Sequence, residues 1–138
     1  MNDENTKRLF KDFPLLFPKG KKASKKVSLM KYGFCCEDGW FNLIYKTCEK
    51  IQKIVDKKGI KQPTVVQVKE KYGGLRFYMD ETVKETFEAG LKAEEESFHI
   101  CEKCGENGKF IRGHGWVKTL CRKCFIRQEK LKDVSKLK

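Results

Sequence analysis

Cys101-Glu102-Lys103-Cys104, then sixteen residues, then Cys121-Arg122-Lys123-Cys124: this stretch decides how the C-terminal third of the chain folds. Two residues between paired cysteines let one tight turn offer both thiolates to a single ion. Two such pairs supply the four soft ligands of a tetrahedral Zn²⁺. Cys101, Cys104, Cys121 and Cys124 are therefore the expected metal ligands. Four thiolates leave no open coordination position, so the expected cofactor is one structural Zn²⁺ and not a catalytic one. Gly105 follows the first pair, where a chain folding back over a metal needs positive φ. Lys109-Phe110-Ile111-Arg112 and Trp116-Val117-Lys118-Thr119-Leu120 flank Gly113-His114-Gly115, which predicts two short strands about a glycine turn. Beyond Cys121, Phe125, Ile126 and Leu131 share one helical face that should turn inward. Knuckle, hairpin, then a second pair at a helix start describes a treble clef; a plain zinc ribbon would place a second hairpin there. Paired disulfides are the competing reading. Met1-Asn2-Asp3-Glu4 begins no secretory signal, so the expected setting is a reducing cytoplasm, where such pairs hold metal or do redox chemistry.

Upstream, the pattern changes to a small α+β body. Trp40, Ile44, Cys48, Ile51 and Val55 recur at helical spacing, with Asp38 as the expected N-cap and Gly59 as the stop. Cys48 on that stripe reads as a small buried hydrophobe. Residues 64–71 and 75–79 alternate as strands about Tyr72-Gly73-Gly74, with Val66, Val68, Leu75, Phe77 and Met79 on the apolar face. The Trp40 helix should cover that face. A second helix is expected over residues 83–97, started by Asp80 or Thr82, with Val83, Phe87 and Leu91 inward and its glutamates outward. Before all this, residues 4–10 predict a turn or two of helix, ended by Pro14 and Pro18. Phe13, Leu15, Leu16 and Phe17 are apolar enough to dock on the body. The fold class expected is α+β: an antiparallel hairpin or small sheet packed by helices, with a C-terminal treble-clef, zinc-ribbon-like module. The organisation expected is a basic N-terminal segment (1–31), an α+β core (32–98) and a zinc-binding module (99–138).

Charge is unevenly spread. The net charge is +12, but residues 1–32 carry nine Lys/Arg against three Asp/Glu and residues 101–138 carry eleven against four, while 33–100 carry eleven against twelve. Two basic ends around a neutral middle point to an anionic partner, nucleic acid first among them. The expected contacts are Lys21, Lys22, Lys25 and Lys26 in the first basic loop, and Lys109, Arg112, Lys118, Arg122, Lys123 and Arg127 in the metal module. Trp116 is available there for stacking. Only five of the 31 cations are arginine, which argues against a dense bidentate reader of bases. No apolar run approaches the ~20 residues of a membrane helix, and no small-molecule site is evident.

The order of motifs carries a resemblance. Tyr32-Gly33-Phe34, then Asp38-Gly39-Trp40-Phe41, then Val68-Lys69-Glu70-Lys71-Tyr72-Gly73-Gly74-Leu75-Arg76-Phe77-Tyr78, then the two cysteine pairs, resembles a group of short uncharacterised phage and prophage proteins. The likeness spans roughly residues 32–124, with 68–78 its most specific part. It implies an origin and a setting, the bacterial cytoplasm of a phage host, more than a mechanism.

An enzyme is not expected. A nuclease on a treble clef needs a histidine base and further metal ligands, yet the chain holds only His99 and His114, both before Cys121. A restriction-type core would need a carboxylate where Gln67 precedes Val68-Lys69. Two functions remain: a zinc-binding protein that contacts nucleic acid through basic surfaces, or a phage-encoded protein that binds and modulates a host protein such as a polymerase or a defence component.

Overall fold

The computed structural model describes residues 1–18, 28–113 and 115–136, with side chains described as far as Leu131. The expected contacts Lys21, Lys22, Lys25 and Lys26, and also His114, lie outside the described residues. Helices α1 (Asp3–Asp12) and α2 (Phe41–Lys58) precede strands β1 (Thr64–Lys71) and β2 (Gly74–Asp80). Helix α3 (Lys84–Ser97), strands β3 (Lys109–Arg112) and β4 (Val117–Leu120), and helix α4 (Arg122–Lys136) follow. The fold is α+β, with two separate two-stranded antiparallel sheets, β1–β2 and β3–β4.

The amphipathic stripe of α2 forms the main core as its spacing predicts. Trp40, Ile44, Cys48 and Ile51 are fully buried, and Gly59 closes the helix in the left-handed region at φ 62°. Asp38 is not the N-cap. Residues Asp38–Trp40 form a 3₁₀ turn, and the Asp38 carboxylate instead accepts hydrogen bonds from Asn2 N (2.8 Å) and the Asn5 amide (3.1 Å). Helix α1, capped by Asn2, is tied by that carboxylate to the start of α2. The N-terminal segment shares the main core: Leu9, Phe13, Leu16 and Phe17 pack with Phe34 and the α2 stripe. Leu15, expected to dock with them, is exposed.

A bulge between Val65 and Gln67 resets the alternation of β1. The bulge makes Val65 and Val68 the buried pair, not Val66 and Val68. The turn is two residues long, with Tyr72 at φ 53° and Gly73 at φ 83°, the doubly left-handed geometry of a tight type I′ hairpin. Both sheet edges are covered. Along β1, Leu29 N donates to Val66 O, and Cys35 pairs with Lys69 through bonds of 2.9 and 3.0 Å to Val68 and Glu70. Along β2, helix α3 lies close enough for Ser97 Oγ to accept from Leu75 N at 2.9 Å.

Helix α3 presents a face opposite to the one expected. Thr86, Ala89, Gly90, Ala93 and Ser97 are buried, whereas Phe87 and Leu91 are 54% and 46% exposed. Approach distance is the cause. A Cβ on Gly90 would already sit 3.5 Å from the Phe77 carbonyl, so this contact takes small side chains and excludes a phenylalanine. Neither Asp80 nor Thr82 starts the helix. Val83 precedes its first turn, and the Thr86 hydroxyl bonds both the N–H and the carbonyl of Val83. Among the described residues no helix is long and apolar enough to cross a membrane.

Candidate metal centre

The knuckle begins where Ile100 bridges to Asn107 and Cys101 N donates to Glu106 O at 2.7 Å. Gly105 N returns to Cys101 O, with Gly105 at φ 84°, as its position after the pair demands. Strands β3 and β4 form the hairpin, and α4 starts one residue after Cys121. The second pair therefore straddles a helix N-terminus, which is the treble-clef arrangement. All four sulfurs, of Cys101, Cys104, Cys121 and Cys124, lie within 4.8 Å of one another. Zn–S bonds of about 2.3 Å set tetrahedral sulfurs about 3.8 Å apart, and Cys104 Sγ to Cys121 Sγ is 3.6 Å. Four cysteines so placed could hold one metal ion. The backbone N–H of Cys124 donates to Cys121 Sγ at 3.4 Å and brings that thiol down to about 7, while burial pushes the Cys124 thiol up to about 12.

No family model, no curated protein and no solved structure matches the chain. What this centre does must be read from its own surroundings.

Glu102, between the two knuckle cysteines, fastens the module to the body. It is 1% exposed. One carboxylate oxygen accepts from Lys118 Nζ at 3.2 Å, the other accepts from Glu37 N at 3.1 Å, and its carbonyl accepts from Gly39 N at 2.7 Å. Burial pushes the Glu102 carboxyl upward, and Lys118 opposes that shift. Lys118 also meets Glu70 at 3.0 Å, and Glu70 in turn accepts from Gly73 N at 2.8 Å. Burial works to lower the Lys118 ammonium, but the two carboxylates outweigh it and raise its pKa. Thr119 Oγ1 donates to Gly73 O at 2.7 Å, and Trp40 Nε1 donates to Ile100 O at 2.9 Å. The hairpin tip, the start of α2 and the knuckle thus form one hydrogen-bonded unit.

This network predicts a measurable cost. Glu102→Ala leaves the Glu37 N–H unpaired and Lys118 with a single carboxylate. The expected loss is about 2–4 kcal/mol, read from the urea midpoint. Glu102→Gln, which keeps an acceptor for that N–H, should lose less. Wild-type stability in Glu102→Ala would show the network to be incidental.

The expected nucleic-acid contacts fall into different places. Lys118 is engaged between two carboxylates and offers no free charge. Trp116 is half-buried: its indole lies across Gly113, where a Cβ would collide with the ring, and sits 6.3 Å from Phe125. Arg122, Lys123 and Arg127 are exposed on α4. Ile126 and Leu131 on the same helix are exposed too, contrary to expectation, because the small module core accepts only Phe125 from that stripe. Lys109 and Arg112 are exposed on β3, beside Tyr72, whose turn with Gly73 and Gly74 is, with Arg76, the most function-like feature of the middle of the sequence. Tyr72 shares one cleft with Phe98, Lys109 and Phe110, and another with Arg112 and Trp116. Lys71 Nζ lies 5.5 Å from the Tyr72 ring centre. The glycines beside Tyr72 admit this packing. A Cβ on Gly73 would sit 2.9 Å from the Phe110 ring, and one on Gly74 would sit 2.6 Å from the Phe98 ring.

Proposed function

We propose that the four cysteines hold one structural Zn²⁺ and that the module it shapes is a non-enzymatic nucleic-acid-binding surface. The donor set supports zinc: four thiols gathered within 4.8 Å of one another suit a closed structural site, which leaves no open position. One observation carries the nucleic-acid reading. Lys71, Lys109 and Arg112 surround exposed Tyr72 and Phe110 on a face built from both hairpins, and among the described residues no carboxylate lines either adjoining cleft. Cations beside exposed aromatic rings, in clefts that no described carboxylate lines, form a surface complementary to phosphates and bases.

Fluorescence anisotropy of a labelled oligonucleotide across a salt series tests this. If the three cations each neutralise one phosphate of a single strand, log K should fall against log salt with a slope of about −2. Lys109→Ala with Arg112→Ala should leave a slope shallower than about −1. No binding at low salt would end this reading.

A second reading has its own support. Phe87 and Leu91, one helical turn apart on the outer face of α3, are large apolar side chains in solvent. A phage-encoded protein that docks on a host polymerase or defence component would use such a pair as anchors. Recovery of a host protein from nuclease-treated lysate, lost on Phe87→Ser, would favour it.

A further inference from the structure

Tyr72 is an unusual residue for its position. It occupies the first central site of a type I′ turn at φ 53°, where asparagine, aspartate or glycine carries the least strain. A bulky side chain in the left-handed region costs on the order of 1–2 kcal/mol. Packing returns little of that cost, since the residue is 68% exposed. Tyr72 makes no hydrogen bond among the described residues, and its one ring partner is the Lys71 ammonium. Strain with so small a structural return points to a functional role.

The surroundings indicate what the ring meets. Tyr72 forms a wall common to two clefts. The first, about 600 Å³, is floored by Phe98 and Phe110 and rimmed by Lys109. The second, about 440 Å³, is lined by Trp116 and Arg112. Both fall in the range of small-molecule sites (~300–1,000 Å³) and have room for a nucleobase. Each cleft therefore pairs an aromatic surface with a cation, and one exposed ring separates them.

Resting on the nucleic-acid reading above, we infer that the ligand is single-stranded DNA or RNA, with two successive bases seated in the two clefts and the Tyr72 ring inserted between them. Duplex bases cover each other's faces and show a protein only their edges. A protruding ring can stack only on bases that have left the stack. Lys109 and Arg112, one at each cleft, are placed to take the phosphates of successive nucleotides. Among the described residues the clefts offer few hydrogen-bonding side chains besides these and His99, so stacking and charge set affinity and base preference is weak.

Anisotropy with a labelled single-stranded DNA 12-mer, the same sequence as RNA, and the DNA duplex tests this on the full chain. Tyr72→Asn removes the ring while favouring the turn, so it should fold at least as stably as wild type; Tyr72→Phe keeps the ring. Single strands should bind more tightly than duplex. Tyr72→Asn should weaken single-strand binding by about 5- to 150-fold, the equivalent of one to three kcal/mol of stacking, and Tyr72→Phe should bind like wild type. DNA and RNA strands binding alike would mean that bases and phosphates, not the 2′-hydroxyl, are recognised. Duplex bound as tightly as single strand, with Tyr72→Asn neutral, overturns the inference while leaving nucleic-acid binding intact. No binding of any of the three ligands removes both. A Tyr72-dependent protein partner recovered from nuclease-treated lysate also overturns it.

Discussion

Cys124→Ser, or prolonged chelation of the wild-type protein, is expected to unfold the C-terminal module while leaving most of the body folded. The module's own core is small: Cys101, Leu120 and Cys124 are its buried apolar members, and two of those three are candidate metal ligands. Without the ion, little apolar surface is left to offset the entropy of ordering the knuckle and hairpin. Structural zinc supplies on the order of 10–16 kcal/mol in such sites, far more than the module could replace. The body differs, because the buried stripe of α2, the docked N-terminal residues and the β1–β2 face form a separate and larger cluster. Hydrogen exchange should therefore show lost protection across residues 101–124 and retained protection in α2 and β1. Nucleic-acid binding should fall with the module, since Phe110, Lys109 and Arg112 are carried on β3. Undiminished protection in metal-free protein would mean that the module folds by other means.

Gly39→Ala is expected to be among the most damaging single substitutions outside the cysteines. Gly39 N donates to Glu102 O, and a Cβ there would run into the carbonyl oxygens of both Cys101 and Glu102. Backbone meets backbone at this point, so no rotamer change relieves the clash, and the knuckle must lift off the start of α2. Overpacking and the lost hydrogen bond together come to about 3 kcal/mol. Gly59→Ala provides the contrast. Its φ of 62° is strained for alanine, but a Cβ there meets nothing within 4 Å, so about 1 kcal/mol is expected. Urea midpoints of the two variants separate close approach from backbone strain, and equal values would contradict the assigned contact.

The metal centre was legible because ligand chemistry leaves few alternatives. Spacing within each pair, a glycine after the first and a helical pattern after the second each constrain the same turn, and all agree. The α2 stripe was legible for a related reason, since one continuous face has one partner. Reading failed where a partner at close range selects for size. On α3 the large apolar residues looked like the core, yet Gly90 and Ala93 hold it, because the Phe77 backbone leaves no room for more. Alternation in β1 failed at Val66 because a one-residue bulge is silent in composition. Lys118 reads in the sequence as a phosphate contact, and Glu102 only as a residue between two cysteines. Their pairing depends on Glu70, 32 positions before Glu102, and no local pattern announces a contact of that kind. The Tyr72-Gly73-Gly74 turn stands out in the sequence, but the glycines alone could account for it. The significance of Tyr72 lies in the φ angle and in what flanks it, and both are tertiary facts.

Metal content bears on all of this most directly. Protein purified without chelator and kept reduced should contain one zinc per chain by plasma emission spectrometry. Cobalt exchanged into the site should give the strong visible absorption of a tetrahedral thiolate complex, and Cys124→Ser should abolish it. Reduced protein that carries no metal, takes up no cobalt and offers all four thiols freely to an alkylating reagent would contradict the account.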